Sequence, residues 1–299
     1  MELREANKIL QTVKSSFAAD GYKIPSSVET DGLLLLLEKI ECDRYLSPKI
    51  RHLRASVKSS AAYKRENVNI MFIRALEAIR DGITAASTVS LMLLNKDLCG
   101  DSRDAAGKLR TEECLTDGCA HTDPKYISGS LKAIIQKMND IPPAPATAKD
   151  DFATLLTHYM RELIIMHPFD CDCPLTLRLF MIMFCRVKGF SLGFNRLPPS
   201  AIKRAENAAF FDDDVTPLYK MFTYCLSYEH TSAMPKQKQR TKREASNKLA
   251  GRTSRTSDGS LKSAAIDDMR LKRVIKLQQK ISKLTEQLTE LTADGTDDK

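Results

Sequence analysis

One stretch of this 299-residue chain decides how the rest of it is interpreted: His167-Pro168-Phe169-Asp170-Cys171-Asp172-Cys173-Pro174-Leu175-Thr176-Leu177-Arg178. It lies between two segments, residues 152–164 and 175–187, in which apolar residues recur every three or four positions. That spacing is typical of the buried face of a helix, so the stretch is predicted to be a tight loop leading into a helix start. Helix starts present free N–H groups and partial positive charge, which makes them natural phosphate sites.

The stretch resembles the signature of the Fic (Fido-domain) family, whose members transfer AMP from ATP onto a protein hydroxyl. The family pattern runs His-x-Phe-x-Asp/Glu-Gly-Asn-Gly-Arg-x-x-Arg, and His167, Phe169 and Arg178 match it. The resemblance covers roughly residues 66 to 228, with its further elements in the expected order. It implies a mainly helical fold and a site built around this loop.

Several positions that handle ATP in the family are replaced. The magnesium-binding acid falls on Cys171, the Gly-Asn-Gly anion loop on Asp172-Cys173-Pro174, and the first Arg on Leu175. Pro174 has no N–H to donate, and Asp172 is placed to act as an N-cap whose carboxylate fills the space that a phosphate needs. Cys171 is a soft ligand where magnesium prefers oxygen. We therefore expect no cofactor, with ATP and Mg²⁺ only if the loop works in an altered geometry.

A hairpin precedes the motif. Residues 98–110 look like the family's lead into its active-site flap, and Asp117-Gly118 follows between two short extended runs. An Asp-Gly pair in that setting predicts a hairpin with a type I′ turn. In the family the flap takes up a target segment by strand addition, which needs only main-chain groups. The candidate flap residues are Cys114, Leu115, Thr116 and Cys119.

The motif supplies the other candidate site residues. His167 is the candidate catalytic base, because an imidazole titrates near neutral pH; Arg178, Asp172 and Cys173 are candidate nucleotide-binding residues. Without the family context, a His that ends an apolar stripe is typical of a structural residue, and Arg178 in the first helical turn needs an anion or solvent.

A zinc site of His167, Cys171 and Cys173 lacks a fourth ligand, and a Cys171–His167 nucleophile lacks an orienting third residue. We therefore predict no metal site.

Composition excludes several classes of protein. The chain is 42% hydrophobic, which is enough for a substantial core. No apolar run approaches the length of a membrane span, and the polar start Met1–Glu5 does not resemble a signal peptide. Eight cysteines without a disulfide framework indicate reduced thiols and a cytoplasmic protein.

The positive charge is concentrated in one segment. Residues 235–262 hold nine basic and two acidic side chains, a net charge of +7 out of the +8 of the whole chain. The remainder is close to neutral, so the high pI describes a linker and nucleic acid is not an expected partner.

These patterns divide the chain into four segments: a helical N-terminal extension (1–65), a Fic-like core (66–229), a basic disordered linker (230–265) and a coiled-coil helix (266–293). In the family such an extension often carries an inhibitory helix marked by Ser/Thr-x-x-x-Glu-Gly/Asn. The extension lacks that mark, because Ala62 stands four residues before Glu66-Asn67 where Ser or Thr belongs.

The last segment has a heptad pattern. Its seam residues are spaced three and four apart and are Val274, Leu277, Ile281, Leu284, Leu288 and Leu291. Such a seam favours self-association. A second interpretation is inhibition, because Ser282-x-x-x-Glu286 resembles most of the inhibitory mark, whose Glu pairs in the family with the Arg at the position of Arg178.

The sequence therefore predicts an all-α protein: a Fic-like helical core with a small β-hairpin flap, plus a C-terminal coiled-coil helix. The predicted function is that of a degenerate Fic-fold protein, a pseudoenzyme that no longer transfers AMP and binds or regulates a protein target through its flap groove. The alternative is an active protein adenylyltransferase, or a related nucleotidyl or phosphoryl transferase, with altered cofactor geometry.

Overall fold

The computed structural model describes residues 1–58, 60–100 and 103–229 of the chain. Their elements, in chain order, are α1 (Leu3–Ala19), α2 (Ser26–Leu36), α3 (Cys42–Ala55), α4 (Ala61–Asp81), α5 (Thr88–Cys99), β1 (Leu115–Thr116), β2 (Cys119–Ala120), α6 (Pro124–Asn139), α7 (Lys149–Met166), α8 (Cys173–Val187), β3 (Phe190–Leu192), a 3₁₀ turn (Phe194–Arg196), α9 (Pro199–Phe211), α10 (Thr216–Cys225) and β4 (Leu226–Tyr228). The prediction of an all-α fold with a small hairpin is confirmed.

The compact unit spans Met1–Thr231, and a second unit, Ser232–Lys299, falls outside the described residues. The predicted basic linker, the coiled-coil helix with its self-association, and the alternative Glu286–Arg178 contact lie there and stay predictions. Within the described part of the chain, no helix is both long and apolar enough to cross a membrane.

Helix α8 is the centre of the compact unit. Twelve of its fifteen residues are buried, and it packs against α1, α4, α5 and α7. A helix that is covered on all sides is held by its neighbours in one position. The loop that carries the family pattern feeds directly into α8, so this loop is attached to the most enclosed element of the fold.

The predicted flap hairpin is present. Leu115 pairs with Ala120 and Thr116 with Cys119 in antiparallel register. Both turn residues have positive φ, 48° at Asp117 and 84° at Gly118, which is the backbone conformation of a type I′ turn. Asp117 tolerates this conformation as Asp and Asn do elsewhere, and Gly118 adopts it without a steric cost.

The N-terminal helices are part of the same core. Val13 and Phe17 of α1 have no exposed surface, and the ring of Phe17 meets that of Phe72 on α4 edge-on at 5.4 Å. Helix α4 begins at Ala61, because the Ser60 hydroxyl accepts the Tyr63 N–H at 3.1 Å and caps its first turn. The division into a 1–65 extension and a 66–229 core stays a prediction.

Candidate functional site

The motif loop is six residues long and strained at both ends. It runs from His167 (φ 45°, ψ 66°) to Asp172 (φ 45°, ψ 36°), between the end of α7 and the start of α8. A left-handed backbone is uncommon for residues other than glycine and persists only where surrounding contacts enforce it. The contacts that enforce it come from α5, from the segment before the flap, and from Tyr22 just after α1.

Arg110 fastens the loop to the segment that precedes the flap. Its side chain is buried, and its guanidinium donates to the carbonyls of Met166 (3.1 Å), His167 (2.7 Å), Glu112 (2.8 Å) and Thr122. A guanidinium carries five N–H donors in a fixed plane, which suits it to bridging several carbonyls at once. The end of α7, the loop and the base of the hairpin are therefore held by one side chain.

Asn95 of α5 holds the other end of the loop. Its amide donates to the Cys171 carbonyl at 2.9 Å and to the Thr176 hydroxyl oxygen at 3.0 Å, and its Oδ1 accepts the Gly107 N–H at 2.8 Å. Gly107 has φ 74°, and a Cβ there would lie 2.6 Å from the Cβ of Lys96. Only glycine allows this approach, so the Asn95 contacts depend on the residue at 107.

His167 lies in a cleft between the flap and α9. Its ring lies 4.4 Å from that of His121, which stacks on Phe210 at 4.3 Å. The cleft has about 430 Å³ of empty space including its open mouth, and its lining residues are Thr116, His121, Ile164, His167, Pro174, Leu177, Lys203, Glu206, Asn207, Phe210 and Phe211. The predicted base and the flap residue Thr116 are thus brought together.

The imidazole of His167 is neutral at pH 7. Burial, together with the nearby His121, Arg110 and Lys203, lowers its pKa to about 4. His121 is oriented by hydrogen bonds of its ring nitrogens, Nε2 with the Thr116 hydroxyl at 2.8 Å and Nδ1 with the Ile165 carbonyl at 3.2 Å. A neutral imidazole can accept a proton from a hydroxyl, but a pKa this low makes it a weak base.

This pKa predicts a measurable pH dependence of stability. Because the unfolded chain protonates His167 near pH 6.5 and the folded chain only near 4, stability present above pH 6.5 is lost as the pH falls through this window. Between pH 7.5 and 5, the protein should lose about 2 kcal/mol more unfolding free energy than the His167→Gln variant. Urea unfolding at the two pH values measures the difference.

The matched control is His158→Gln. His158 is exposed on the same helix, so its replacement should leave the pH dependence of the parent protein. Identical pH dependence for the parent and for His167→Gln would contradict the buried neutral imidazole.

Asp172 does not cap α8, so the prediction that its side chain acts as an N-cap is wrong. It holds the N-cap position, but its side chain makes no capping hydrogen bond. An N-cap residue normally has an extended backbone, whereas the left-handed backbone of Asp172 turns its carboxylate aside. Its Oδ1 accepts the Tyr22 hydroxyl at 2.6 Å, and its Oδ2 lies 3.5 Å from the Cys99 Sγ.

Arg178 is fully buried and has anionic partners. It is the sixth residue of α8, so the prediction that it lies in the first turn is wrong. Its Nη1 donates to both carboxylate oxygens of Glu206 at 2.8 Å, and its Nη2 donates to the Ser16 carbonyl at 3.0 Å and to Asp20. Burial alone would lower the pKa of Arg178, but the carboxylates of Glu206 and Asp20 raise it above its ordinary value. The guanidinium is therefore charged and already paired.

The contact with α1 was missed by the sequence analysis. The partners of Arg178 at the end of α1 belong to Ser16-Phe17-Ala18-Ala19-Asp20-Gly21. This run has the Ser-x-x-x-acid-Gly spacing of the inhibitory mark, with Asp in place of Glu. The extension therefore carries a form of the mark and lacks only the version with Glu. Its signal in the sequence is the Ser-x-x-x-Asp-Gly spacing.

The remaining candidates divide between the interior and the surface. Cys173 and Leu175 are buried, and burial raises the pKa of the Cys173 thiol, so neither faces a ligand. On the flap, Leu115 is 64% exposed, Cys119 is exposed and Cys114 is half-buried. Among the described residues, no group of three or more His, Cys, Asp or Glu side chains has an arrangement that would hold a metal ion.

Comparisons with known proteins find similar sequences among protein adenylyltransferases. No family model matches the chain. It is 24% identical over 172 residues to the protein adenylyltransferase VbhT of Bartonella schoenbuchensis, covering 56% of this chain and 36% of VbhT. It is 23% identical over 187 residues to a probable protein adenylyltransferase Fic of Escherichia coli, covering 62% of this chain and 92% of that protein. The chain is therefore similar in sequence to Fic protein adenylyltransferases, in agreement with the resemblance of its motif.

Solved structures show that the chain has the Fic fold. The BepC protein of Bartonella tribocorum with bound AMPPNP superposes with a TM-score of 0.52 at 14% identity, covering 58% of this chain and 90% of that one. The N-terminal Fic domain of a Bartonella quintana effector with bound ADP gives 0.52 at 15% identity, covering 59% and 90%. The present chain spans little more than a third of the length of VbhT, so the resemblance to that protein concerns its Fic-like part.

Proposed function

We propose that this Fic-fold protein binds a protein target through its flap groove and does not transfer AMP. The observation that carries the proposal is the state of the two Arg positions in the family pattern. Leu175 occupies the first and is buried, and Arg178 occupies the second, where it is buried and paired with Glu206 and Asp20. Neither position offers a free cation to a phosphate.

A triphosphate would find few other partners on this loop. It needs cations and converging N–H groups to replace its hydration. Pro174 at the start of α8 contributes no N–H, and Cys171 stands where the family has its magnesium-binding acid. Releasing Arg178 for a phosphate would leave Glu206 buried without a counter-ion, which costs several kcal/mol.

The flap keeps what target binding requires. Strand addition uses main-chain N–H and C=O groups along an open edge, with pockets for alternate side chains. Leu115 of β1 is largely exposed, while Thr116 faces the cleft that contains His167. A target strand paired with β1 would therefore place one of its side chains over this cleft. The main-chain groups of the flap act without ATP, so target binding is kept when AMP transfer is lost.

The second candidate function is transfer with altered cofactor geometry, and one observation favours it. Lys203 of α9 lines the same cleft as His167 and Pro174, so a cation and an imidazole still face one space. ATP and Mg²⁺ would be the cofactors in that case. The Asp172 carboxylate makes no hydrogen bond to the start of α8, which leaves the N–H groups there to an anion.

A transfer assay separates the two functions. With labelled ATP, Mg²⁺ and a protein acceptor, we expect no incorporation of AMP by the parent protein, because the loop lacks the cations that a triphosphate needs. We expect the same of Asp20→Ala, since Glu206 still binds Arg178 from both carboxylate oxygens. Incorporation in either protein that is lost on adding His167→Ala would favour the transferase function.

Target binding is tested with a photo-crosslinking amino acid at position 115. A matched control has the same group at Tyr126, which is similarly exposed at 58% but lies at the start of α6. We expect a protein that is captured from position 115 and not from 126. Equal capture from both positions would contradict binding at the flap.

A further inference from the structure

An open groove, the α9–α10 groove, runs between these two helices. It has about 1280 Å³ of empty space including its mouth, against about 430 Å³ for the His167 cleft. Positions 201–208 of α9 and 217–224 of α10 contribute to its lining, which is about two helical turns on each side. Its floor is apolar and consists of Leu197, Ala201, Ala205, Ala208, Pro217 and Met221.

The floor leaves room for larger side chains of a partner. Ala205 and Met221 are at most 3% exposed, whereas Ala201 and Ala208 keep part of their surface open. Helices pack by inserting the side-chain ridge of one into the groove of another, at a distance set by the side chains in contact. A ridge of large apolar side chains on this floor would be removed from water, which favours binding. The floor therefore has the shape and the polarity of a surface that packs against another helix.

The main chain of the groove selects a helix over an extended segment. Both walls are helices, so their main-chain N–H and C=O groups, except at the helix ends, are already bonded within α9 and α10. An extended segment would bury its own main-chain groups there without partners, which is costly. A helix bonds these groups internally and binds through its side chains alone. The flap is the opposite case, because β1 offers main-chain groups to a strand.

The walls of the groove carry an excess of positive charge. Arg204 and Lys220 line it, together with one carboxylate, Asp212 at the end of α9. Both cations are exposed, and in the described part of the chain neither has a carboxylate within ion-pair distance. The pKa of Asp214 is lowered chiefly by its hydrogen bonds with Thr216 and only weakly by Lys220. Acidic side chains of a partner would therefore complement this surface.

An exposed aromatic ring forms part of the α10 wall. Tyr224 lines the groove and is 59% exposed, so it contributes little of its surface to the core. Aromatic side chains are enriched at protein interfaces, where they bury a large area and often dominate the binding free energy. Tyr224 is thus placed to contact a partner that lies in the groove.

We propose that the α9–α10 groove binds an amphipathic helix of a partner protein, with the apolar ridge of the helix on the floor and its acidic side chains facing Arg204 and Lys220. The proposal goes beyond the flap and does not depend on it, although Asn207 lines both cavities. Two helical turns make a small contact, so the affinity should be micromolar or weaker.

The experiment uses the full chain and a display library of helical peptides of about 14 residues, a common helix length. One face of each peptide holds large apolar residues, and the flanking positions vary among Glu, Lys and Gln. We expect selection to enrich Glu over Lys at the flanking positions. The affinity of the enriched peptides, measured by fluorescence anisotropy, should fall as salt is added, because salt screens exposed charges.

Two variants locate the bound peptide. Lys220→Glu reverses a charge on the wall, and Ala208→Trp fills the groove with a side chain; each should weaken binding about fivefold or more. The matched control is Lys132→Glu, which reverses an exposed lysine on α6 and should leave the affinity unchanged. Lys220 is exposed, so its variant decides the question even if Ala208→Trp fails to fold.

Several results would overturn the proposal. Enrichment of Lys over Glu, or no enriched peptide, would contradict an acidic helix as the partner. Equal affinity for the parent protein and for Lys220→Glu would mean that the peptide binds elsewhere. A parent protein that sediments as a dimer, and as a monomer in Ala208→Trp, would make a second copy of this chain the occupant of the groove.

Discussion

Replacing Arg178 with alanine is expected to lower the free energy of unfolding by about 3–5 kcal/mol. Arg178 has no exposed surface, and the side chain of Glu206 is only 5% exposed. Without the guanidinium, Glu206 would stay buried with no counter-ion or would have to take up a proton. Either outcome raises the free energy of the folded state and not that of the unfolded state.

Urea unfolding of the parent and the variant measures this loss. The matched control is Arg161→Ala, which removes a guanidinium from a pair with Asp213, a carboxylate that is 76% exposed. Water and salt screen such a surface pair, so its removal should cost no more than about 1 kcal/mol. A loss for Arg178→Ala as small as that of the control would show that the buried pair contributes nothing particular to stability.

A second variant separates the charge from the packing. Arg178→Met combined with Glu206→Leu removes both buried charges and keeps most of the side-chain volume. Replacing a buried ion pair with apolar groups is often neutral, so this double variant should be more stable than Arg178→Ala. If it were equally unstable, packing and not the unpaired carboxylate would explain the loss.

Local signals in the sequence predicted much of the fold. The helices on each side of the motif follow from apolar residues at helical spacing, and α6 begins at Pro124 because Asp123 caps it and Pro124 fits the first helical turn. The hairpin follows from Asp117-Gly118, whose turn chemistry is contained in two residues. The family resemblance also led to the expectation that His167 lies beside the flap. The residues alone do not predict this contact.

The partners of the site residues were the part that the sequence did not reveal. Arg178 binds Glu206, 28 residues away, and Asp20, 158 residues away, and no local pattern specifies such a distance. Tyr22 bonds to Asp172 across 150 residues and turns its carboxylate away from the helix start. N-capping was the expected role of Asp172 because a cap needs only residues that are close in the sequence. In the structure, the carboxylate bonds instead to the hydroxyl of Tyr22, which is distant in the sequence.

Some of these partners carried a weaker signal. Glu206 lies on α9 among Ile202, Ala205 and Ala209, so it is a charged residue on an apolar face. Asn95 is similarly a polar residue beside Leu91, Leu94 and Leu98 on α5. A polar group on a buried face needs a partner, which marks both residues as candidates without naming what they bind. Arg110 had no comparable signal, since it lies outside any helix or strand.

Deleting residues 1–23 is expected to abolish cooperative folding. The deletion removes Leu10, Val13 and Phe17, which are at most 4% exposed. Truncation of one such side chain costs about 2–5 kcal/mol, and a domain is stable by only about 5–15 kcal/mol. The deletion also removes Asp20 and Tyr22, which bind Arg178 and Asp172. Helix α1 is therefore a part of the core, although its end carries a run that resembles the inhibitory mark.

Circular dichroism and thermal unfolding of the shortened chain measure this effect. The matched control lacks only residues 1–4, which are all exposed, and its melting temperature should stay within about 3 °C of the parent's. A chain without residues 1–23 that still unfolds cooperatively would mean that α1 is separable. Helix α1 would then act on Arg178 as a detachable cover. Such a result would also make the transferase function testable in the shortened chain, with Arg178 held by Glu206 alone.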